Sequence, residues 1–269
     1  MSISIRTQGE IDAIEAAGTV CVEAIEAGFA AAGVGATTAS VCEVIADFLS
    51  ETRARSAILG FRDGNRRFPA VACVSVNEQL PPAVPGARVI ADGDVITIDL
   101  AVSFDGWCAD AATSRVVGER RVFEPRLTEA RALLLEAIGD LVPGREWPVA
   151  QFTRCFTDAG FTVAPGPLGH GIGRRVHESP ALAGPVRESR DGRGLGGDRD
   201  RAILWPGMVF AIEPIWSIGD WPKEVLGEDG WTTVTADGSI VWTEERTVAM
   251  TAAGPRVLTR FPADSSGKG

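Results

Sequence analysis

Acidic side chains stand inside apolar stretches of this sequence, where burying a charge is costly. Asp99 lies within the mostly apolar run 95–102, and Glu213 ends the similar run 209–212. A carboxylate in such a position needs a cation or hydrogen-bond donors to offset its lost hydration. For Asp99 alone, a buried ion pair or a strand-end position is a sufficient explanation, so the neighbouring residues decide whether a bound cation is the better one.

Two more carboxylates can join this pair. Asp110 lies eleven residues after Asp99, beyond the turn dipeptide Asp105-Gly106, so antiparallel pairing of the two segments can bring both side chains together. Neighbouring carboxylates repel and raise each other's pKa unless a metal ion neutralises them. Glu245 lies in the segment 242–248, although taken alone it is more typical of an exposed strand glutamate.

The chain has only two histidines, His170 and His177. His170 lies within 169–173 (GHGIG), where glycines leave room for other groups to approach the imidazole. A lone histidine is more often packed or exposed than a metal ligand, but the glycine setting favours a site. Four carboxylates with one imidazole suit a pair of Mn, Co, Fe(II) or Zn ions, and the chemistry of such a pair is hydrolysis of an amide or ester.

The elements that position these residues occur in two similar sets. Hydrophobic periodicity and capping signals predict helices over 10–30, after the Thr37-Thr38 cap, over 125–141 and over 148–159. Apolar and β-branched runs predict strands over 71–76, 94–104, 107–117, 209–215, 231–235 and 240–250. The order of two helices followed by strands therefore occurs twice, which indicates an internal duplication.

A short repeat supports the duplication. Residues 92–99 (DGDVITID) resemble 206–213 (PGMVFAIE), since in each a glycine turn opens an apolar strand and a carboxylate lies six residues beyond the glycine. Two halves related in this way can face each other and bring Asp99 and Glu213 together.

Composition argues against several classes of protein. The formal net charge is −10, and the few basic pairs are too small for a nucleic-acid interface. Residues 1–10 lack the apolar core of a signal peptide, and no run is long and apolar enough to cross a membrane, so a cytoplasmic protein is expected. The five cysteines are scattered without a CxxC pair, which argues against a disulfide framework or a zinc ribbon. Segment 187–201, rich in Gly, Arg and Asp, is predicted to be a mobile surface loop.

Taken together, these residues resemble the type I methionine aminopeptidases, which have the pita-bread fold. The matching segments are GHGIG at 169–173, HESP at 177–180, PGMVFAIEP at 206–214, GWTTVTADGSI at 230–240 and EERT at 244–247. The resemblance implies an α+β fold of two pseudo-symmetric halves, with a central curved antiparallel sheet flanked by helices. It also implies one catalytic domain over residues 1–269, whose ends, 1–8 and 262–269, are expected to be flexible.

The resemblance further implies a role for each candidate residue. Asp99 would bind one of two divalent metal ions, Asp110 and Glu245 would bridge the two, and His170 and Glu213 would complete the other. Glu213 would also be the proton shuttle. His177 would stabilise the scissile carbonyl or the tetrahedral intermediate.

Two departures from the family pattern concern the substrate. The family has a histidine ahead of the first metal aspartate that contacts the substrate, and Pro82 stands at its place within 77–85. Proline cannot donate a hydrogen bond or transfer a proton. The expected pocket for the methionine side chain is altered by an insertion-like stretch at 62–67 and by Val176, which replaces an aromatic residue. Its substrate-binding positions are Phe68, Cys73, Pro82, Val176 and Trp231.

The sequence therefore predicts a metal-dependent hydrolase that removes an N-terminal residue, methionine in the first instance, from peptides. Pro82 and the altered pocket leave open a related enzyme acting on a small-molecule amide or specialised metabolite. A non-catalytic binding protein on the same scaffold is the third possibility, although retention of all five ligands argues against it.

Overall fold

The computed structural model describes residues 3–185 and 202–265. The helices are α1 Gln8–Ala31, α2 Thr38–Ser50, α3 Glu124–Gly139 and α4 Val149–Asp158, with a 3₁₀ turn at Pro262–Ser265. Within the described ranges, no helix is long and apolar enough to span a membrane.

Seventeen short and long strands connect these helices in the described part of the chain. They are β1 Arg55–Ser56, β2 Arg62–Asp63, β3 Arg66–Arg67, β4 Cys73–Val76, β5 Gln79–Leu80, β6 Val95–Phe104, β7 Trp107–Val116, β8 Phe161–Val163, β9 Gly169–Gly171, β10 Glu178–Leu182, β11 Val209–Ile212, β12 Ile215–Ile218, β13 Glu224–Leu226, β14 Thr233–Thr235, β15 Trp242–Thr243, β16 Glu245–Thr251 and β17 Gly254–Val257.

Nine of these strands form one antiparallel sheet, in the order β1-β6-β7-β16-β11-β9-β10, with β4 also paired to β6 and β17 to β16. Strands from the first half of the chain lie on one side of the β7–β16 junction, and strands from the second half lie on the other. The predicted α+β class with two similar halves is confirmed, because the sheet is divided where the sequence repeat divides the chain.

Each half of the sheet has its own hydrophobic core. Helices α1 and α2 pack on the first half through one cluster that includes Ile14, Ile45 and Ile98, and α3 and α4 pack on the second half through another that includes Phe152 and Phe210. Side chains alternate between the two faces of a strand. With Ile98 facing the helices, Asp99 is therefore left on the opposite, concave face.

The two glycine turns of the sequence repeat have the same backbone conformation. Gly93 and Gly207 precede β6 and β11 with φ of +95° and +91°, a region that glycine adopts without the steric cost of a Cβ atom. The predicted hairpin is also present. Phe104 pairs with Trp107 around a two-residue turn in which Asp105 and Gly106 both have positive φ, as a type I′ turn requires.

Two segments that were each predicted to be one continuous strand are divided into two strands in the structure. Segment 209–215 is split after Ile212, and segment 240–250 is split at Glu244. Pro214 explains the first break, because proline has no N–H to donate to a ladder. The pieces beyond the breaks, β12 and β15, pair with each other in a second sheet, so both strands bend away from the main sheet at the same level.

Both chain ends were predicted to be flexible, and segment 187–201 was predicted to be a mobile loop. Arg6 is ion-paired with Glu178, and Asp264 is ion-paired with Arg246 at 2.7 Å, so the described parts of both ends contact the rest of the chain. Segment 187–201, predicted to be a mobile loop, lies outside the described residues.

Replacing Thr37 by alanine tests the capping signal before α2. Thr37 Oγ1 accepts a hydrogen bond from the Ser40 backbone N–H at 3.1 Å, and the Ser40 hydroxyl lies 3.1 Å from the Thr37 N–H. We expect Thr37→Ala to lower the free energy of unfolding by about 1 kcal/mol in urea denaturation. Thr19→Ala, at an exposed position inside α1, is the control and should change stability by less. Equal losses in both variants would contradict a capping role.

Candidate metal centre

Three of the acidic residues singled out in the sequence lie beside the junction of the two halves of the sheet. Asp99 on β6 pairs with Ala112 on β7, and Ala112 pairs with Glu245 on β16. Asp110 lies two residues before Ala112 and therefore faces the same side of the sheet. The hairpin and the junction thus gather three carboxylates on the concave face.

The remaining two residues approach from the second half. His170 on β9 pairs with Ala211 on β11, and Ala211 pairs with Thr247 on β16. Glu213 follows β11 directly, and its backbone N–H donates to the Leu168 carbonyl at 2.9 Å. An alanine in the middle of each row keeps the centre of the face free of bulky side chains.

Carboxylate and imidazole atoms from three of these residues lie close enough together to contact one metal ion. One ligand atom from each of Asp110, His170 and Glu245 can be chosen so that all lie within 4.8 Å of one another. His170 Nε2 is 3.9 Å from an Asp110 oxygen and 3.4 Å from a Glu213 oxygen. Asp99 lines the same cavity as these four residues.

The imidazole of His170 is oriented by its own backbone. Its Nδ1 lies 3.1 Å from the Gly171 carbonyl oxygen, which can only accept a hydrogen bond. Nδ1 must therefore carry the proton, and the lone pair of Nε2 points toward the carboxylates. A second-nitrogen hydrogen bond of this kind is how proteins orient metal-binding histidines.

Two carboxylate oxygens at the centre are buried without a partner. Asp110 Oδ1 and Glu245 Oε1 accept no hydrogen bond from any described residue. An unpaired buried charge is expensive because it loses hydration and gains nothing in return. These atoms are well suited to be ligands of a cation.

Burial and mutual repulsion raise the pKa of every carboxyl group in the cluster. Burial, followed by the charge of Glu213, raises the pKa of Asp99 to about 7. Burial raises the pKa of Glu213 to about 7 as well, although 38% of its side chain is exposed toward the cavity. The pKa values of Asp110 and Glu245 are raised further, by burial first and then by the neighbouring carboxylates. Four acids held this close need positive charge to be ionised together.

The donor set therefore fits divalent metal ions. It supplies four carboxylates, of which two have unpartnered buried oxygens, and an imidazole whose free nitrogen faces them. Oxygen-rich sets with one nitrogen suit Mn, Co, Fe(II) or Zn. Arg246 is also buried behind the cluster, but its guanidinium donates to the side chains of Glu244 and Asp264 and not to these four carboxylates.

Above the acidic floor, the cavity is mainly apolar and has a volume of about 240 Å³. Its walls include all five positions predicted to bind substrate, namely Phe68, Cys73, Pro82, Val176 and Trp231. The rings of Phe68 and Trp231 meet edge to face with centroids 5.4 Å apart. Phe61, which the sequence did not single out, packs against His177 with the ring centroids 5.1 Å apart and the ring planes inclined by 60°. An uncharged side chain is the natural occupant of this space.

His177 stands at the boundary between the acidic floor and the apolar wall. Its ring centroid lies 4.3 Å from that of His170 and 5.1 Å from that of Phe61. Burial, followed by the charge of His170, lowers the pKa of His177 to about 4. Near pH 7 the ring is therefore neutral, with one N–H to donate and one nitrogen to accept.

The insertion-like stretch at 62–67 forms the β2–β3 hairpin on the rim of this cavity. Asp63 pairs with Arg66, and the Arg66 guanidinium lies 4.9 Å from the centre of the Trp231 ring. Pro82 lines the cavity where the family resemblance implies a histidine, so this wall has no hydrogen-bond donor at that position.

The fold and this arrangement of side chains define a metallopeptidase. The chain belongs to metallopeptidase family M24, whose model matches residues 12–252. Methionine aminopeptidases are among the relatives that resemble the chain over nearly its whole length. Methionine aminopeptidase 1 of Mycobacterium tuberculosis is 37% identical over 264 residues, covering 94% of each chain. The methionine aminopeptidase of Aquifex aeolicus is 34% identical, covering 97% of this chain and 100% of its own.

Solved structures agree with these relatives. The methionine aminopeptidase of Thermotoga maritima is 30% identical to this chain, covers 96% of it with 100% of its own length, and superposes with a TM-score of 0.82. The prolidase of Pyrococcus furiosus, at 20% identity and a TM-score of 0.72, shares the fold. The predicted pita-bread fold and the resemblance to methionine aminopeptidases are confirmed.

Replacing Gly169 tests how tightly β9 must approach β11 to place His170. A methyl group added at Gly169 would lie 2.0 Å from the Ala211 carbonyl oxygen, a backbone atom that cannot move alone. We expect Gly169→Ala to lower the free energy of unfolding by about 3 kcal/mol in urea denaturation. Gly139→Ala is the control, since no atom lies within 4 Å of its added methyl group. A Gly169→Ala protein as stable as the wild type would show that the strands can separate at no cost.

Proposed function

We propose that this protein is a metal-dependent aminopeptidase that removes the N-terminal methionine from peptides, using two divalent ions. The carrying observation is the convergence of Asp99, Asp110, His170, Glu213 and Glu245 at the floor of one apolar cavity. Membership of metallopeptidase family M24 and similarity to methionine aminopeptidases over 94% of the chain support the same activity.

In this proposal the five residues hold the metal ions between the two halves of the sheet. Asp99 would be a ligand of one ion, His170 and Glu213 would be ligands of the other, and Asp110 and Glu245 would contribute to both. The unpartnered buried oxygens of Asp110 and Glu245 support their role as ligands. Divalent ions bound there would activate a water molecule as the nucleophile and polarise the scissile carbonyl.

Glu213 is the group best placed to transfer a proton. Its carboxylate is exposed to the cavity while its backbone is fixed by the hydrogen bond to Leu168. In this proposal one Glu213 oxygen takes a proton from the attacking water and returns it to the amine that leaves. A carboxylate that faces both the water and the leaving amine can serve as the base in the first step and as the acid in the second.

His177 positions the peptide rather than the metal ions. Its neutral ring can donate an N–H to the substrate carbonyl oxygen, where negative charge develops during attack. The apolar walls formed by Phe68, Val176 and Trp231 take up the side chain of the N-terminal residue. An unbranched apolar side chain such as that of methionine suits this enclosure.

The alternatives drawn from the sequence receive less support. Pro82 and the altered pocket suggested a repurposed enzyme acting on a small-molecule amide. The similarity to methionine aminopeptidases over 94% and 97% of the chain favours the peptide substrate instead. A non-catalytic protein would retain a repulsive group of buried carboxylates without using them, which is destabilising.

Substituting a single ligand is the test of this function. We expect the wild type to release methionine from a Met-Ala-Ser peptide in the presence of Mn²⁺ or Co²⁺, and to stop when a chelator is added. Asp99→Asn keeps the shape of the side chain but loses its charge, so kcat/KM should fall by more than ~100-fold. The control Asp158→Asn changes an exposed aspartate at the end of α4 and should leave the rate unchanged. If no short peptide is cleaved under any metal condition, the proposed activity is wrong.

Restoring the missing donor tests the role of Pro82. In a Pro82→His variant the imidazole can contact the peptide nitrogen of the substrate, so kcat/KM for the same peptide should rise by about 100-fold. Pro82→Ala separates this effect from the loss of proline, because alanine restores the backbone N–H but supplies no imidazole. Equal rates in the two variants would mean that the histidine position does not limit this enzyme.

A further inference from the structure

The two halves of the main sheet are joined by very few backbone contacts. Strands β7 and β16 pair only at Ala112–Glu245 and Ala111–Arg246, whereas β6 and β7 pair at ten positions. Asp110 and Glu245 lie on opposite sides of this short junction. The separation of their carboxylates therefore depends on whatever holds β7 against β16.

Side chains from β16 replace the missing backbone hydrogen bonds. The Thr247 hydroxyl donates to the Asp110 carbonyl oxygen at 2.8 Å and accepts from the Asp110 N–H at 3.0 Å. Arg246 Nη1 donates to the carbonyl oxygens of Ala112 at 3.0 Å and Glu245 at 2.8 Å. One guanidinium thus holds the backbone on both sides of the junction, at Glu245 itself and two residues after Asp110.

Glu244 and Arg131 extend the same support behind the sheet. The Glu244 carboxylate is fully buried and accepts from the Thr113 hydroxyl at 2.9 Å and from the Ser114 N–H at 3.2 Å. Arg131 of α3 donates to it at 2.9 Å, and Arg246 donates at 3.1 Å. The positive charges of Arg131 and Arg246 balance the negative charges of Glu244 and Asp264. Losing any one of the four therefore leaves a buried charge unpaired.

Asp264 fixes the orientation of Arg246. Its two oxygens accept from Arg246 Nη2 at 2.7 Å and Nε at 3.0 Å, a paired geometry that defines the guanidinium plane. Asp264 also accepts from the Phe261 N–H at 3.0 Å, and the Phe261 ring lies 4.4 Å from the guanidinium carbon. The end of the described chain is thereby attached directly to the junction.

We propose that Arg246, oriented by Asp264, is a positioning residue that holds Asp110 and Glu245 at the spacing required by the metal ions. The segment 261–264 then controls metal affinity although it contributes nothing to the cavity. This inference rests on the proposed function, since it assumes that the two carboxylates bind metal.

Titration of metal-free protein with Mn²⁺ by calorimetry tests this inference. Asp264→Asn keeps the size of the side chain and releases one arm of the guanidinium, so the dissociation constant for Mn²⁺ should rise by about 10-fold or more. Glu15→Gln is the matched control, because Glu15 pairs with Arg256 of the neighbouring strand β17 and does not contact the junction. It should leave the dissociation constant unchanged.

A second variant keeps the test decisive if Asp264→Asn fails to fold. Thr247→Val is nearly isosteric and carries no charge, but it removes both hydrogen bonds to Asp110, so it too should weaken Mn²⁺ binding. The electron paramagnetic resonance spectrum of bound Mn²⁺ should change in either variant, which a loss of global stability alone would not cause.

The outcomes separate this inference from the proposed function. If both variants melt at lower temperature but bind Mn²⁺ as tightly as the wild type, the network is merely structural and the inference fails while the aminopeptidase stands. If the wild type binds Mn²⁺ and the variants bind it weakly, yet none of them releases methionine, the positioning role stands and the proposed substrate is wrong. A wild type that binds no Mn²⁺ or Co²⁺ overturns both.

Discussion

Repulsion between carboxylates gathered beside one imidazole is the constraint on which the rest of this structure depends. Two unit charges 4 Å apart repel by about 4 kcal/mol at an effective dielectric constant of 20. In addition to burial, the charges of Asp99 and Glu213 raise the pKa of Asp110. The same two charges, together with that of Asp110, raise the pKa of Glu245 beyond the effect of its burial. Positive charge bound at the centre converts this repulsion into attraction. The same groups that would weaken the fold without a cation would therefore stabilise it when one is bound.

The fold meets this constraint by duplicating one simple unit. Each half supplies a glycine turn, an apolar strand and a carboxylate six residues beyond the glycine, at Asp99 and at Glu213. Each half also has its own pair of helices, and the two pairs pack in separate hydrophobic clusters. At the junction between β7 and β16, side-chain hydrogen bonds take over from the backbone ladder.

Features with a local cause could be predicted from the sequence. The glycine repeat, the Asp105-Gly106 hairpin and the Thr37 cap depend on a few neighbouring residues, and the structure has all three. The network behind the sheet could not be found in this way. Glu244 is 131 residues from Thr113, and the consecutive charged residues 244–246 (EER) resemble a solvated segment. The break in strand 209–215 had a local signal in Pro214, whereas the course of the chain beyond it depends on the pairing of β12 with β15.

The departures from the family pattern lie on the substrate side of the cavity and not on the metal side. Pro82, Val176 and the β2–β3 hairpin form walls or rim, whereas the five residues proposed to bind metal lie on the sheet face or directly after it. A physical reason accounts for this division. Positions on the sheet are fixed by register, so changing one ligand leaves the remaining charges uncompensated. Loops that line the rim are fixed by few contacts and can accept an insertion at little cost in stability. The sheet therefore preserves the hydrolytic chemistry, while the surrounding loops adjust which peptides can be held against it.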